Sequence, residues 1–200
     1  YPDKGGCNLL ASVGAKSTDL IYLEEGNFYS RNIAIGGNGV TQEISDELGF
    51  LFEDAETLKV DAISGESLPD IEQQAFEKAS LNSQNRLAVE ITRTTAIFKR
   101  QGYEKEPTHC YLTGGGSILP GIEEKLSDRL SIHSERYDPL KRVRIDSLRS
   151  RERIDLDKAF LGDAIGMAIG RFLPDSNSLN LIPHRMLWQR KFARQQPFYF

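Results

Sequence analysis

The sequence predicts an α/β domain whose elements run β-β-β-α, then further α, β, α, β and α segments. Three observations predict it. Apolar runs near the N-terminus are separated by turn residues, as in paired strands. From Asn38 the apolar residues recur every four positions, which is a helical spacing. A later apolar stretch, "HCYLT", ends on three consecutive glycines and is followed by a helix-like run.

Taken in order, "CNLLASVG" (7–14) reads as a strand, and "TDLIYLEEGNFYSRNIAIGG" (18–37) as two strands around a Glu-Glu-Gly-Asn turn. Gly26-Asn27 supplies that tight hairpin. Val40, Ile44 and Leu48 place a helix that Gly49 ends. A second helix covers about 53–63, with Ala55, Leu58 and Ala62 on one side. Pro69 suits the first turn of a long third helix over about 69–101, with Ile71, Ala75, Ala79, Leu87, Ile91 and Phe98 at helical spacing. A strand at 109–113, a helix over 120–130 and an extended piece over 131–137 follow. Residues 138–156 are charged and read as a surface loop. A last helix, 156–173, carries glycines at 162, 166 and 170.

The chain has 200 residues, enough to bury a core, and its 39% apolar and 27% charged content is that of a soluble globular domain. A net charge of −4 excludes the basic footprint of a nucleic-acid binder. No signal peptide and no apolar run of transmembrane length is present. Cys7 and Cys110 are far apart in apolar runs and predict buried, reduced thiols rather than a disulfide or metal site. His109, His133 and His184 form no ligand pair. The chain begins without Met and reads as a piece of something longer. No acidic residue follows Asp175, whereas Arg185, Arg190, Lys191 and Arg194 crowd the tail, an asymmetry typical of interaction or membrane-proximal segments.

Four segments carry candidate chemistry. In "SVGAKSTDL" a turn with Gly14, Lys16, Ser17 and Thr18 is either a plain hairpin or a nest of backbone N–H groups for a phosphate. In "IGGNGVT", Gly36 and Gly37 lead into a helix N-terminus, either simple turn chemistry or an anion site of free N–H groups. Glu56 and Lys59 share a helix face, as a solvated pair worth ~0.2–0.5 kcal/mol or as ligand contacts. In "LTGGGS", Gly114, Gly115, Gly116 and Ser117 keep the space of a Cβ free, either for a purine with its ribose or for tight packing on a neighbouring helix.

Together these motifs resemble the second half of the actin-like ATPase fold shared by actin, heat-shock chaperones, sugar kinases and FtsA. The resemblance implies a β-β-β unit carrying the second phosphate loop at "SVGAKST", a Glu-x-x-Lys pair meeting adenosine at Glu56 and Lys59, and a glycine-rich adenosine motif at "LTGGGS". It also implies a hinge helix at "GDAIGMAIG" (162–170) and ATP with Mg in the intact protein. Within that fold, "FYSRNIAIGGNGVTQEISDELGFLFEDAETLK" and "LTGGGSILPGIEEKLSDRL" are similar to the PilM family of type IV pilus assembly. The implied organisation is a lobe over 1–174, with a helical subdomain at about 38–105, and a basic tail over 175–200.

In the tail, Asn180, Leu181, Ile182, Pro183 and Arg185 resemble the cytoplasmic N-terminal peptide of PilN-type membrane partners; the other reading is the domain's own short tail. The basic residues before "PFYF" suit an approach to a membrane from its cytoplasmic face. An apolar span after Phe200 is the expectation that follows.

The resemblance implies a cytoplasmic scaffold at the inner membrane, in a pilus-like or type II secretion-like platform, with platform membrane proteins as partners and a homodimer possible. The competing class is an ATPase or sugar-kinase-like phosphotransferase. Two departures favour the scaffold or restrain the enzyme. Where the fold usually has an aspartate, two residues before the phosphate-loop glycine, this chain has Ser12, and losing that carboxylate weakens metal-assisted hydrolysis more than binding. The first lobe is also absent, so this piece by itself should bind nucleotide poorly, and the docking site of the tail is left open.

Overall fold

The computed structural model describes residues 6–24, 27–103, 105–141, 143, 151–170 and 186. Its elements are β1 (Cys7–Val13), β2 (Thr18–Glu24), β3 (Asn27–Ile33), α1 (Gly37–Leu48), α2 (Phe52–Ser64), α3 (Asp70–Arg100), β4 (Pro107–Thr113), a 3₁₀ turn (Gly115–Ile118), α4 (Ile122–Leu130), β5 (His133–Arg136) and α5 (Arg151–Gly170). The five strands form one mixed sheet in the order β3-β2-β1-β4-β5. β2 runs antiparallel to both β1 and β3, while β1, β4 and β5 are parallel neighbours.

Alternation along the strands decides which face is core. Cys7, Leu9, Ala11 and Val13 of β1 are buried, as are Leu20 and Tyr22 of β2 and Cys110 and Leu112 of β4. They share one cluster with Val40 and Ile44 of α1, Leu87, Ile91 and Phe98 of α3, and Ile122 and Leu126 of α4. Phe98 is sandwiched between Tyr22 and Tyr103, with ring centroids 4.7 Å and 4.3 Å away. The phenol of Tyr22 reaches Thr95 Oγ1 at 2.9 Å, and burial pushes its pKa up to about 12. A buried ring therefore keeps a partner for its polar end.

Most of the expected elements are found, with α1 capped by Gly49 in a left-handed conformation. Ile71, read at helical spacing with the apolar residues of α3, is exposed in its first turn. Helix α5 starts at Arg151, so 151–156, expected as loop, is helical. Arg, Glu and Leu are good helix formers, and a charged turn needs no apolar stripe to be helical. The Gly26 turn lies outside the described residues, but Glu24 pairs with Asn27, so two residues join β2 to β3. Both cysteines are free and buried; burial raises Cys7 to about 11 and Cys110 to about 12, as for inert thiols.

The chain divides into two compact units, 1–162 and 163–200. The first holds the sheet and α1–α4. The described part of the second is the C-terminal portion of α5 and Met186. Among the described residues no helix is long and apolar enough to cross a membrane.

Candidate functional site

Three glycine-bearing segments meet at the C-terminal end of β1. The first is the turn that β1 itself enters, closed by the Gly14 N–H donating to Ser17 O at 2.9 Å. The second is the start of α1, where Gly37 N–H donates to Gly14 O at 3.0 Å and Asn38 N–H to Ala15 O at 2.7 Å. A Cβ on Gly36 would stand 2.6 Å from Ala15 O and 2.7 Å from Gly14 O, so only glycine lets these backbones approach. The third follows β4, which lies parallel to β1 with Thr113 beside Ser12. Gly114 sits at φ 83°, ψ 165°, a region that is essentially glycine's alone. A Cβ there would lie 2.5 Å from Val13 O.

These contacts change the account of two motifs. The amides at the start of α1, for which the sequence left simple turn chemistry and an anion site as alternatives, are taken. Gly37 and Asn38 donate to the β1–β2 turn and Gly39 to Gly36 O. The helix end is docked, not open. The donors that remain are one loop earlier: among the described residues, the amides of Ala15, Lys16 and Ser17 have no partner. Lys16 is exposed beside them. Thr18 is fully buried and donates its hydroxyl to Ile35 O at 2.7 Å, so in this conformation it braces the turn from inside.

For the glycine triplet, the sequence left a purine and tight packing as alternatives. Packing within the chain fills the space. Cβ atoms at 114 and 116 would meet Val13, and one at 115 would meet the Phe160 ring of α5 at 2.9 Å. Gly114 N–H donates to Ala159 O at 2.9 Å, and Thr113 Oγ1 to the same carbonyl at 3.3 Å, which docks α5 on the turn. Ser117 is buried, and its hydroxyl donates to Gly114 O at 2.7 Å. Sequence reading missed Val13 and Phe160 because partners this distant in the chain leave no local signal.

Glu56 and Lys59 are not a solvated pair. Lys59 is only 8% exposed. Its ammonium donates to Glu56 Oε2 at 2.7 Å, Thr41 Oγ1 at 2.9 Å and Gly37 O at 3.4 Å. Those three bonds use all three ammonium donors. Thr41 in turn donates to Glu56 Oε2 at 2.5 Å. The lysine thus bolts α2 to the first turn of α1, leaving the half-exposed Glu56 carboxylate as the outward part of the pair. Burial by itself would raise the Glu56 carboxyl, but the hydrogen bonds from Lys59 and Thr41 and the ammonium charge outweigh it and hold it below the ordinary carboxylate value.

Asn180, Leu181, Ile182, Pro183 and Arg185, the candidate partner-binding residues, lie outside the described residues. Residues 2–172 match the family described as type IV pilus assembly protein PilM. The chain belongs to the PilM family. Among solved structures it is similar to the PilM-PilN type IV pilus biogenesis complex, with a TM-score of 0.70 and 24% identity over 84% of this chain and 47% of that one. It is also similar to the ethanolamine utilization protein EutJ from Carboxydothermus hydrogenoformans, with a TM-score of 0.52 and 18% identity over 64% and 43%. The archaeal actin homolog Ta0583 in complex with ADP gives a TM-score of 0.51 and 19% identity over 86% and 52%. No curated protein matches. These likenesses show the actin-like ATPase fold, and this PilM-family chain spans about half the length of each of the three, at 47%, 43% and 52%.

The glycine geometry separates folding from ligand effects. Gly114→Ala should destabilise the protein by about 1–3 kcal/mol from backbone strain alone, before the clash with Val13 is counted. Gly115→Ala should cost less, because the exposed Phe160 ring swings aside. Denaturant titration of the two variants checks the order; equal losses would contradict it.

Because the folded-state value of Glu56 is depressed, its contribution to stability is complete above the unfolded value of about 4.3 and is lost as pH falls through the folded value. In urea titrations, Glu56→Gln should flatten the fall in stability below about pH 4.3. Identical acid slopes for the two proteins would show that the carboxylate is not held by Lys59 and Thr41.

Proposed function

We propose that this PilM-family chain is the nucleotide-holding half of an actin-like scaffold in a type IV pilus or type II secretion-like assembly platform. The observation that carries the reading is the β1–β2 turn, where three amides without a partner among the described residues and an exposed lysine lie at the carboxyl end of parallel strands. Ligands of open α/β sheets bind at such ends, and successive free amides form an anion nest. This donor set fits a phosphate. In the proposal Gly14, Lys16 and Ser17 face the phosphates of ATP, while Glu56 and the Gly114–Gly116 turn border the adenosine. In the proposal a second lobe closes the cleft, and the relatives matched are about twice the length of this chain. Bound magnesium would screen the phosphate charge there.

Ser12 in place of a carboxylate favours binding over rapid turnover, so nucleotide acts by setting the shape of the scaffold. The basic tail, with Asn180, Leu181, Ile182, Pro183 and Arg185, engages a PilN-like platform membrane protein at the cytoplasmic face of the inner membrane. Support comes from the family and from the tail's charge asymmetry.

In the full-length protein, calorimetry with a non-hydrolysable ATP analogue should show binding that Lys16→Ala weakens about tenfold, the loss of one charge-assisted hydrogen bond. Unchanged affinity in the variant removes Lys16 and its turn from the site. For the tail, a protein ending at Pro174 should bind nucleotide as before but no longer co-sediment with vesicles carrying the platform membrane protein. Retained co-sedimentation would reduce the tail to a packing element.

A further inference from the structure

Helices α3 and α4 leave a groove between them, with a volume of about 420 Å³. The pattern of α4 explains its character. Ile122 and Leu126, four residues apart, turn one face of the helix to the core. Glu124 and Asp128, also four apart, line the groove from the adjoining face. Phe76, Glu77 and Leu81 line it from α3, and Pro120 from the turn before α4. The lining is therefore apolar along Phe76, Leu81 and Pro120 and carboxylate around them. Glu77, Glu124 and Asp128 form no ion pair among the described residues, and Lys125 is the one cation among the described lining residues.

An acidic rim alone is an ordinary solvated surface. What distinguishes this groove is Gln84, a lining residue only 4% exposed. Its Nε2 donates to Pro120 O at 2.9 Å and to Ser80 Oγ at 3.1 Å. A carbonyl oxygen can only accept, so this pairing fixes which end of the amide faces Pro120 and turns Oε1 away from it. Among the described residues nothing donates to Oε1, and the proton of the buried Ser80 hydroxyl has no acceptor. Thr94 Oγ1 is the one fully sealed side-chain oxygen without a partner among the described residues. Gln84 Oε1 is therefore not sealed, and the groove that Gln84 lines is where it can be reached. An unused acceptor beside an unused donor costs stability in a buried setting until a partner completes both. One peptide group, with its N–H and C=O, supplies both.

We infer that the α3–α4 groove binds a basic, apolar peptide segment of a partner protein. Apolar side chains of the segment cover Phe76, Leu81 and Pro120, its Lys or Arg residues meet Glu77, Glu124 and Asp128, and one of its main-chain amides completes Gln84 and Ser80. Charge selects the class: three unpaired carboxylates against one ammonium repel an acidic segment and steer a cationic one. The groove shares no residue with the candidate nucleotide segments, so the inference stands apart from the nucleotide reading.

The test titrates a capped peptide of Leu-Lys-Lys-Leu repeats, and a Leu-Glu-Glu-Leu counterpart, into the isotope-labelled full-length protein. Amide resonances of 76–84 and 120–128 should shift with the lysine peptide and stay in place with the glutamate peptide. Leu81→Ser should weaken binding about tenfold through lost apolar contact. The double variant Glu124→Gln, Asp128→Asn should weaken it about as much and flatten its salt dependence. All three positions are exposed, so thermal unfolding of the variants should match wild type. Absence of binding, wild-type affinity in the variants, equal binding of the two peptides, or shifts confined to other residues overturns the inference. So does a dimer in sedimentation velocity that Leu81→Ser dissociates while the peptide fails to bind, because the groove then holds a second copy of this chain.

Discussion

The backbone at the end of β1 carries contacts on which everything else in the candidate site depends. Val13 and Gly14 are touched from one side by the turn after β4 and from the other by the start of α1. Main chain meets main chain at these points, at separations where a methyl group would already collide. Such contacts are short and have few alternatives, so the relative placement of β1, β4 and α1 follows from them. The glycines at 36 and 114 are the chemical condition for that placement.

A second link makes the arrangement rigid. Lys59 is buried between α1 and α2, with each of its donors occupied. Removing a charge from water is costly, and it is tolerated here because a carboxylate, a hydroxyl and a carbonyl replace the lost hydration. One of those partners is the Gly37 carbonyl, in the first turn of the helix docked on the β1–β2 turn. The helical part of the domain is therefore mechanically continuous with the loop whose amides remain open.

Much of this was legible in the chain itself. The period of Val40, Ile44 and Leu48 located α1, and Gly49 its end, because both are local consequences of helical geometry. The three N-terminal strands and the strand before the glycines were legible for the same reason. The motif order also pointed to the family. What stayed open were readings that needed a partner. For the α1 amides, turn chemistry and an anion site remained alternatives because nothing local says that Gly14 and Ala15 will accept from them. For Glu56 and Lys59, a solvated pair and ligand contacts remained alternatives because a spacing of three fixes a helix face but not what covers it.

The sequence by itself determined the elements, their order and the places where backbone had to be bare, since dihedral freedom and periodicity are properties of nearby residues. Only the tertiary structure decided what each bare position faces: Val13 for two glycines of the triplet, Phe160 for the third, and the β1–β2 turn for Gly36. It also decided that Thr113 falls beside Ser12. Strand register is the cause, because pairing brings together residues whose separation along the chain carries no information about their distance in space.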